Sequence, residues 1–447
     1  MNLSAQVGNQ EPGAGTTRSG SGARTRISAV ALGLIILAGC GSGSTSTPVT
    51  STPTPTPVAN TIPVTVNGGP ANTAVNFAYV TVQVCNPGST TSCATIPDVQ
   101  VDTGTAGLRI LASATGVSGL SLTPVTGNGA PVVECDQFGD GSYVWGPVMQ
   151  ADVTLGGEKA AGLPIQVINA PGSGVAVPSG CSRGSELNRG TAAELQANGI
   201  LGVGTAPQDC GITCAATSNV PPVYWLCPGS GCGTASVPTA TQVSNPTTFF
   251  NSDNNGVIIT LPAVGASGAA SVTGGTLTFG IGTQSDNALG SANVYVLGFW
   301  GSGVYAAAAA IQSTYNGVTY PAFLDTAAPF TLFLDPTTIG VPACSGNYSG
   351  SYCPSSDMNF TVSNMGFQGT SANATITIGN AQSLLGNSTL AAFSDLAASS
   401  GGTGSSNDAV EFGMPFFFGK SVCVGIAGKT PPSGVPSSAS GLGYWAF

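Results

Sequence analysis

The stretch VDTGTAGLRIL at residues 101–111 is matched in outline by LDTAAPFTLFL at residues 324–334. In both stretches an Asp-Thr pair follows apolar residues and precedes a second apolar run. The two aspartates are Asp102 and Asp325. Two turn motifs of this kind in one chain indicate an internal repeat, and a repeat restricts the folds that the sequence can adopt.

Each Asp-Thr stretch is followed by a predicted helix and by a short apolar segment that contains glycine. The predicted helices cover residues 185–199 and 383–399, and the glycine segments are GILG at residues 199–202 and EFG at residues 411–413. Because these features recur in the same order, the sequence predicts two halves of similar architecture.

Much of the remaining chain alternates apolar and polar residues with a period of two, which is the pattern of half-buried strands. Gly occurs 65 times and Pro 31 times, and both residue types favour turns between short strands. We therefore predict an all-β protein with a few short helices. The predicted strands cover residues 78–85, 97–102, 149–155, 256–261, 275–282, 293–299, 358–365 and 374–379.

Charge and composition exclude several classes of function. Charged residues make up only 6% of the chain, and the formal net charge is −10. The 9 Lys and Arg residues cannot build the basic face that nucleic-acid binding requires, so we expect no nucleic-acid partner. The chain contains no histidine, which excludes Ser-His and Cys-His catalysis and histidine-bound zinc.

The N-terminus has the pattern of an export signal. Three arginines precede an apolar run at residues 27–37, which is too short to span a membrane and fits a signal-peptide core. The run ends in Leu-Ala-Gly-Cys and resembles a bacterial lipobox, in which the cysteine is lipidated. We therefore predict a lipoprotein signal peptide at residues 1–39 and lipidation of Cys40, rather than an ordinary signal peptide with an unrelated cysteine.

Residues 40–60 are rich in Ser, Thr and Pro, a composition that favours an extended tether. We expect Cys40 to anchor the protein in a membrane of the bacterial cell envelope, with the chain facing the periplasm or the cell surface. The folded part is predicted to comprise an N-terminal β lobe at residues 61–240 and a C-terminal β lobe at residues 241–447.

The 12 cysteines of an exported chain are expected to form disulfides. Cys135 and Cys181 are predicted to form a long-range bond, and Cys423 is left over. Cys210 and Cys214 pair either with each other or with the next two cysteines, and these four could in principle hold zinc, although their spacing is irregular. The predicted close pairs around turns are Cys85–Cys93, Cys227–Cys232 and Cys344–Cys353.

The order of these segments resembles that of the pepsin-like aspartic peptidases over most of the chain after the tether. The matching segments are, in order, a hairpin into the first Asp-Thr-Gly, a flap hairpin, a segment that crosses under the first Asp, the opening strand of the second lobe, the second active-site strand and its crossing segment. They lie at residues 79–84 and 99–104, 138–157, 199–204, 275–280, 322–326 and 412–417.

The resemblance implies a bilobal fold of two pseudo-twofold related β lobes, in which Asp102 and Asp325 activate a water for hydrolysis of peptide bonds. Two carboxyls that face one water share a proton. The resemblance also implies a monomer that acts on an extended peptide or unfolded protein and needs no cofactor and no metal. The residues it implies for the dyad loops are Thr103, Gly104, Thr105, Thr326 and Ala327, with the threonines bracing the loops through their hydroxyls, and those for the flap are Phe138, Gly139, Asp140 and Gly141.

Three positions depart from the pattern of the family. Phe138 stands where the family usually has tyrosine, Ala327 where active members have glycine, and Ala328 where they have a hydroxyl residue. Ala328 removes a hydrogen-bond donor from Asp325, which raises the pKa of that carboxyl. We therefore expect Asp325 to hold the shared proton and Asp102 to be ionised.

Three hypotheses follow. We favour a membrane-anchored aspartic endopeptidase. The second hypothesis is a catalytically inactive pepsin-like lipoprotein that binds peptide or protein in the same cleft. The third is a structural lipoprotein in which the Asp-Thr motifs are a coincidence, and it predicts that Asp102 and Asp325 lie far apart. Asp136 and Asp140, which flank the flap tip, are predicted to be turn residues.

Overall fold

The structure, a computed structural model, describes residues 59–170, 176–184, 187–229, 231–300, 309–400 and 408–447. In these residues it is built mainly of β-strands, which confirms the predicted all-β class. The strands are β1 (Thr61–Val66), β2 (Ala78–Cys85), β3 (Cys93–Asp102), β4 (Ala106–Leu111), β5 (Thr123–Pro124), β6 (Thr126–Gly127), β7 (Ala130–Gln137), β8 (Tyr143–Leu155), β9 (Glu158–Ile168), β10 (Gly199–Val203), β11 (Tyr224–Leu226), β12 (Gly233–Thr234), β13 (Gly256–Thr260), β14 (Val272–Phe279), β15 (Val294–Val296), β16 (Gly298–Phe299), β17 (Ala309–Tyr315), β18 (Val318–Leu324), β19 (Thr331–Phe333), β20 (Met358–Met365), β21 (Ser371–Ile378), β22 (Ala397–Ser399), β23 (Val410–Phe412), β24 (Ser421–Gly425) and β25 (Tyr444–Ala446). The helices are α1 (Ser179–Ser182), α2 (Ala192–Leu195), α3 (Pro336–Ile339), α4 (Ala381–Leu385) and α5 (Met414–Phe417).

The helices are shorter than the sequence predicted. Of residues 187–199, the described part of the first predicted helix, only α2 is helical. Thr191 caps its start by accepting a hydrogen bond from the Glu194 backbone N–H, and Gln196 ends it in the left-handed conformation. Residues 383–399 were predicted as one helix, which is wrong, because they contain the end of α4 and the strand β22. No helix in the described part of the chain is long and apolar enough to cross a membrane.

The predicted repeat is present as the same three-strand arrangement in both halves. In the first half, β10 lies between β3, to which it is parallel, and β4, to which it is antiparallel. In the second half, β23 lies between the parallel β18 and the antiparallel β19 in the same way. Each half therefore holds its Asp-Thr loop against a central strand, β10 in the first half and β23 in the second, which we call the closing strand.

Gly202 and Gly413, the last residues of the two glycine segments, permit the closing strands to pack closely against the turns that follow the Asp-Thr pairs. A Cβ atom on Gly202 would lie 2.7 Å from the carbonyl carbon of Ala106, in the turn that follows the first Asp-Thr pair. A Cβ atom on Gly413 would collide with the carbonyl oxygen of Phe330, in the equivalent turn of the second half. Only glycine allows the closing strand to approach each turn this closely.

Hydrogen bonding crosses the predicted boundary between the lobes at residues 240 and 241. A 17-stranded sheet contains β1 to β15 together with β24 and β25, and an 8-stranded sheet contains β16 to β23. The first strand, β1, pairs with β2 on one side and with the distant β14 on the other. The first strand of the folded part is therefore completed by a strand of the second half.

The four predicted disulfides, listed above, are confirmed. Cys210 and Cys214, whose partners were left open, pair with each other. Cys423 is a buried free thiol in β24. The predicted signal peptide and the lipidation site Cys40 lie outside the described residues, as does almost all of the predicted tether.

We expect the disulfide that closes the longest loop to contribute most to stability. Cys135–Cys181 spans 46 residues and Cys210–Cys214 spans 4. Cys135→Ala/Cys181→Ala should lower the free energy of unfolding by about 4 kcal/mol, and Cys210→Ala/Cys214→Ala by about 2 kcal/mol, because a longer loop restricts the unfolded chain more. Guanidinium denaturation followed by tryptophan fluorescence measures both, and equal losses would contradict the prediction.

Candidate active site

The two Asp-Thr loops meet. Asp102 is the last residue of β3, and Asp325 directly follows β18. The side chains are 0% and 1% exposed, respectively. The closing strands hold both loops in equivalent positions, since Gly202 of β10 pairs with Asp102 and Phe412 of β23 pairs with Leu324. The hypothesis that the two motifs are a coincidence predicted distant aspartates, and the structure does not place them so.

The threonines after the aspartates join the loops through a reciprocal set of hydrogen bonds. The Thr103 hydroxyl donates to the Leu324 carbonyl at 3.1 Å, and the Thr326 hydroxyl donates to the Val101 carbonyl at 2.7 Å. Each hydroxyl also accepts from the backbone N–H of the other threonine, at 3.0 and 3.1 Å. All four groups are buried, so the brace fixes the two loops against each other without help from solvent.

Asp102 is surrounded by donors. Its Oδ1 accepts from the backbone N–H of Gly104 at 2.7 Å and of Thr105 at 3.0 Å, and its Oδ2 accepts from the Thr105 hydroxyl at 2.8 Å. Burial raises the pKa of Asp102, while the hydrogen bonds and the positive charge of Arg109 act in the opposite direction. These three donors favour the ionised form of this carboxyl.

Asp325 has fewer donors. Its Oδ1 accepts from the Ala327 backbone N–H at 2.8 Å, the counterpart of the bond from Gly104 to Asp102. Ala328 provides no hydroxyl, and among the described residues no N–H or O–H group donates to the Oδ2 of Asp325. Burial raises the pKa of Asp325 well above its ordinary value, the negative charge of Asp102 raises it further, and Glu411 does the same when it is ionised.

Gly104 lies next to both carboxyls. Its backbone N–H binds Asp102, and a Cβ atom at this position would lie 2.8 Å from both the Cγ and the Oδ2 of Asp325. Glycine is needed here for space, since its backbone has an ordinary negative φ. Both carboxyls thus lie beside the same glycine, close enough for the charge of Asp102 to act on Asp325.

The predicted flap is the hairpin of β7 and β8, with Phe138, Gly139, Asp140 and Gly141 in its turn. The Phe138 side chain is 8% exposed and packs in the main hydrophobic core. Asp140 accepts from the backbone N–H of Ser142 at 2.9 Å and pairs with Arg189 at 2.8 Å, so its prediction as a turn residue is confirmed.

The prediction of Asp136 as a turn residue is wrong, because it lies in β7 and forms part of a buried charged cluster. Arg109 pairs with Glu134 at 2.5 Å, with Asp136 at 3.0 Å and with Asp209 at 3.5 Å. The Tyr224 hydroxyl donates to Asp209 at 2.6 Å. Burial raises the pKa of Asp136 to about 7, and the negative charge of Glu134 adds to this effect against the attraction of Arg109.

Arg109 and Glu411 were missed as site residues. Each is a charged residue in an otherwise apolar run, LRIL and VEF, and this was the only signal in the sequence. Glu411 is 1% exposed. Burial raises its pKa to about 7, the charge of Asp102 raises it too, and a hydrogen bond with Asp325 lowers it.

An open cavity of about 440 Å³ adjoins the second Asp-Thr loop. Its lining includes Asp140 of the flap turn together with Pro329, Phe330, Leu332 and Tyr348. The lining reaches Ala328, three residues after Asp325, and does not include Asp102 or Asp325. A cavity of about 510 Å³ elsewhere is lined by Gly, Ala and Pro residues with a few other small side chains, and it includes no acid or base.

Comparisons with known proteins give the following matches. The crystal structure of an aspartic proteinase from Irpex lacteus is similar, with 17% identity and a TM-score of 0.47 over 82% of this chain and 94% of that protein. No curated protein matches the chain. A family model described as "Protein of unknown function (DUF3443)" matches residues 56–447. Since that match spans most of the sequence, the chain belongs to the DUF3443 family.

Proposed function

We propose that this protein is an aspartic-type endopeptidase that hydrolyses peptide bonds with a water activated by Asp102 and Asp325. The observation that carries the proposal is the pair of buried carboxyls on two loops locked by Thr103 and Thr326. A buried pair of acids with unequal hydrogen bonding can divide the roles of base and acid between them.

The unequal surroundings assign the roles. Asp102, with three donors and Arg109 nearby, is the ionised base that takes a proton from the attacking water. Asp325 holds the shared proton and gives it to the carbonyl oxygen of the substrate. The water oxygen bonds to the carbonyl carbon and forms a gem-diol. Asp102 then gives its proton to the leaving nitrogen, a diol hydroxyl returns a proton to Asp325, and the C–N bond breaks.

The substrate class follows from the cleft. The cavity beside the second Asp-Thr loop is bordered by the flap turn and by apolar residues around Phe330, which suits a segment of extended peptide with an apolar side chain. We further propose a monomer of two lobes, at residues 61–240 and 241–447, anchored through lipidated Cys40 in the bacterial cell envelope. Five disulfides in the described residues fit an oxidising compartment of this kind.

A catalytically inactive peptide-binding protein is the second candidate. It is favoured by one observation, the missing hydroxyl at Ala328, which leaves the Oδ2 of Asp325 without an N–H or O–H donor among the described residues. The core position of Phe138 agrees with it, since that side chain supplies no hydroxyl at the flap. Measured cleavage decides between the two candidates.

We expect Asp102→Asn and Asp325→Asn each to reduce cleavage of an unfolded polypeptide by at least ~100-fold, because each removes a proton-transfer group. The measurement is kcat/KM on a fluorogenic peptide library between pH 3 and 7, with circular dichroism as a check on folding. Asp286→Asn, at an exposed carboxyl, is the matched control and should retain full activity. Peptide binding without any cleavage by the wild type would favour the inactive candidate.

Gly104→Ala should separate the two carboxyls, since the added methyl would lie 2.8 Å from the Asp325 carboxyl. A displacement of the carboxyl by about 1 Å costs on the order of 100-fold in kcat. The control is Gly265→Ala, a site with no atom within 4 Å of the added methyl. Unchanged kcat in Gly104→Ala would contradict the proposed arrangement of the dyad.

Cys40→Ser should release the protein from membranes and block removal of the signal peptide, because a serine cannot carry the thioether lipid. Fractionation of cells that express the full chain, followed by mass determination, measures both effects. Retention of the variant in the membrane fraction would refute the anchor.

A further inference from the structure

The repeat places different residues at one equivalent position in its two halves. In the closing strand β10, Ile200 lies in register with Arg109 of β4. In the closing strand β23, Glu411 lies in register with Leu332 of β19. The first half thus has an apolar residue on the closing strand and a cation on its neighbour. The second half has an acid on the closing strand and an apolar residue on its neighbour.

The surroundings of Glu411 disfavour its ionised form. Its side chain is 1% exposed, and Val410 and Phe412 on either side are 0% exposed. None of the Lys and Arg side chains in the described residues forms an ion pair with it. A carboxylate buried without a cation is costly, whereas the neutral acid is a hydrogen-bond donor.

Next to Glu411 lies an acceptor that needs a donor. In the first half of the repeat, the Thr105 hydroxyl donates a hydrogen bond to the Oδ2 of Asp102 at 2.8 Å. The second half has Ala328 at that position, and no described N–H or O–H group reaches the Oδ2 of Asp325. In the parallel pair of β18 and β23, Glu411 lies in register with Phe323, two residues before Asp325. Its Oε1, like the Oδ2 of Asp325, is a buried oxygen that accepts no hydrogen bond from an N–H or O–H group of the described residues.

We propose that Glu411, as a neutral acid, donates to the Asp325 carboxyl the hydrogen bond that the Thr105 hydroxyl donates to Asp102. Glu411 is then a positioning residue that stabilises Asp325 after Asp325 has given its proton to the substrate. This role rests on the proposed peptidase function, but the hydrogen bond itself does not.

The electrostatics of the cluster agree with a neutral Glu411. The charged and titratable groups that act on it are Asp325 and Asp102. Burial, the largest effect, and the charge of Asp102 raise the pKa of Glu411 to about 7, although a hydrogen bond with Asp325, which favours the ionised form, acts in the opposite direction. Unlike the Thr105 hydroxyl, this donor is lost on ionisation. The active state of the three carboxyls therefore carries two protons, on Asp325 and Glu411, and activity falls as the pH rises past the pKa of Glu411.

Three variants test whether Glu411 acts as a hydrogen-bond donor or only fills space in the core. Glu411→Gln keeps the shape and an N–H donor but does not titrate, Glu411→Leu fills the space without a donor, and Glu411→Leu/Ala328→Thr restores a hydroxyl at the position equivalent to Thr105. We expect kcat of Glu411→Gln to stay within threefold of the wild type. Glu411→Leu should lose about 10- to 100-fold in kcat with little change in KM, because the lost donor acts on a charged group. The double variant should recover at least tenfold.

A second readout does not require cleavage. A folded-state pKa of about 7, above the ordinary value of 4.5, means that the folded state binds the Glu411 proton more tightly than the unfolded chain. Wild-type stability should therefore decrease relative to Glu411→Gln as the pH rises from about 4.5 to 7. The Tm of both proteins between pH 4 and 8 measures this, with exposed Glu194→Gln as the control.

The outcomes are distinguishable. If the wild type cleaves no substrate but the pH-dependent difference in Tm is present, the peptidase proposal fails and the neutral, hydrogen-bonded Glu411 stands. If the difference in Tm is absent, the inference about Glu411 is overturned whatever the activity. Equal kcat values for Glu411→Gln and Glu411→Leu in an active enzyme would also overturn it.

Discussion

The arrangement of the site depends on the reciprocal hydrogen bonds between Thr103 and Thr326. Each hydroxyl donates to a carbonyl of the opposite loop and accepts from an N–H group of that loop. Because all of these groups are buried, any displacement of one loop would leave several polar atoms without partners at once. The brace therefore fixes where the strand ends carrying Asp102 and Asp325 must meet, and the closing strands and their glycines pack around that fixed point.

Burial with very few cations determines the electrostatics of the site. Only 6% of the residues are charged, and the one cation close to the dyad, among the described residues, is Arg109. Its guanidinium is shared by three carboxyls of the first half and also acts on Asp102. The second half places the acid Glu411 beside Asp325 instead. Two loops braced by equivalent hydrogen bonds thus hold their aspartates in opposite electrostatic environments.

The sequence predicted the features that depend on short patterns. All eight segments predicted from alternating residues contain strands, and they overlap nine of the 25 strands of the described residues. The resemblance that the repeated Asp-Thr motif carries implied the meeting of Asp102 and Asp325. The helix predicted at residues 383–399 was wrong because its Ala-rich end pairs as β22 with β19, and tertiary pairing overrides helix propensity. The roles of Arg109 and Glu411 could not be predicted, because a charge in an apolar strand acquires a partner only when the register of the neighbouring strands is known.

The pairing of β1 with β14 has a consequence for the order in which the chain can acquire its structure. During synthesis β1 is made first, yet one of its two hydrogen-bonding edges stays open until residues Val272–Phe279 have been made. The strand β13 can pair with β24 only after Ser421–Gly425 has been made. Such long-range pairings slow folding and couple the two halves, so an N-terminal fragment cannot reach its final state. A chain that was truncated after the first Asp-Thr half would therefore expose unpaired strand edges. Although the repeat consists of two similar halves, the two halves complete their folding together.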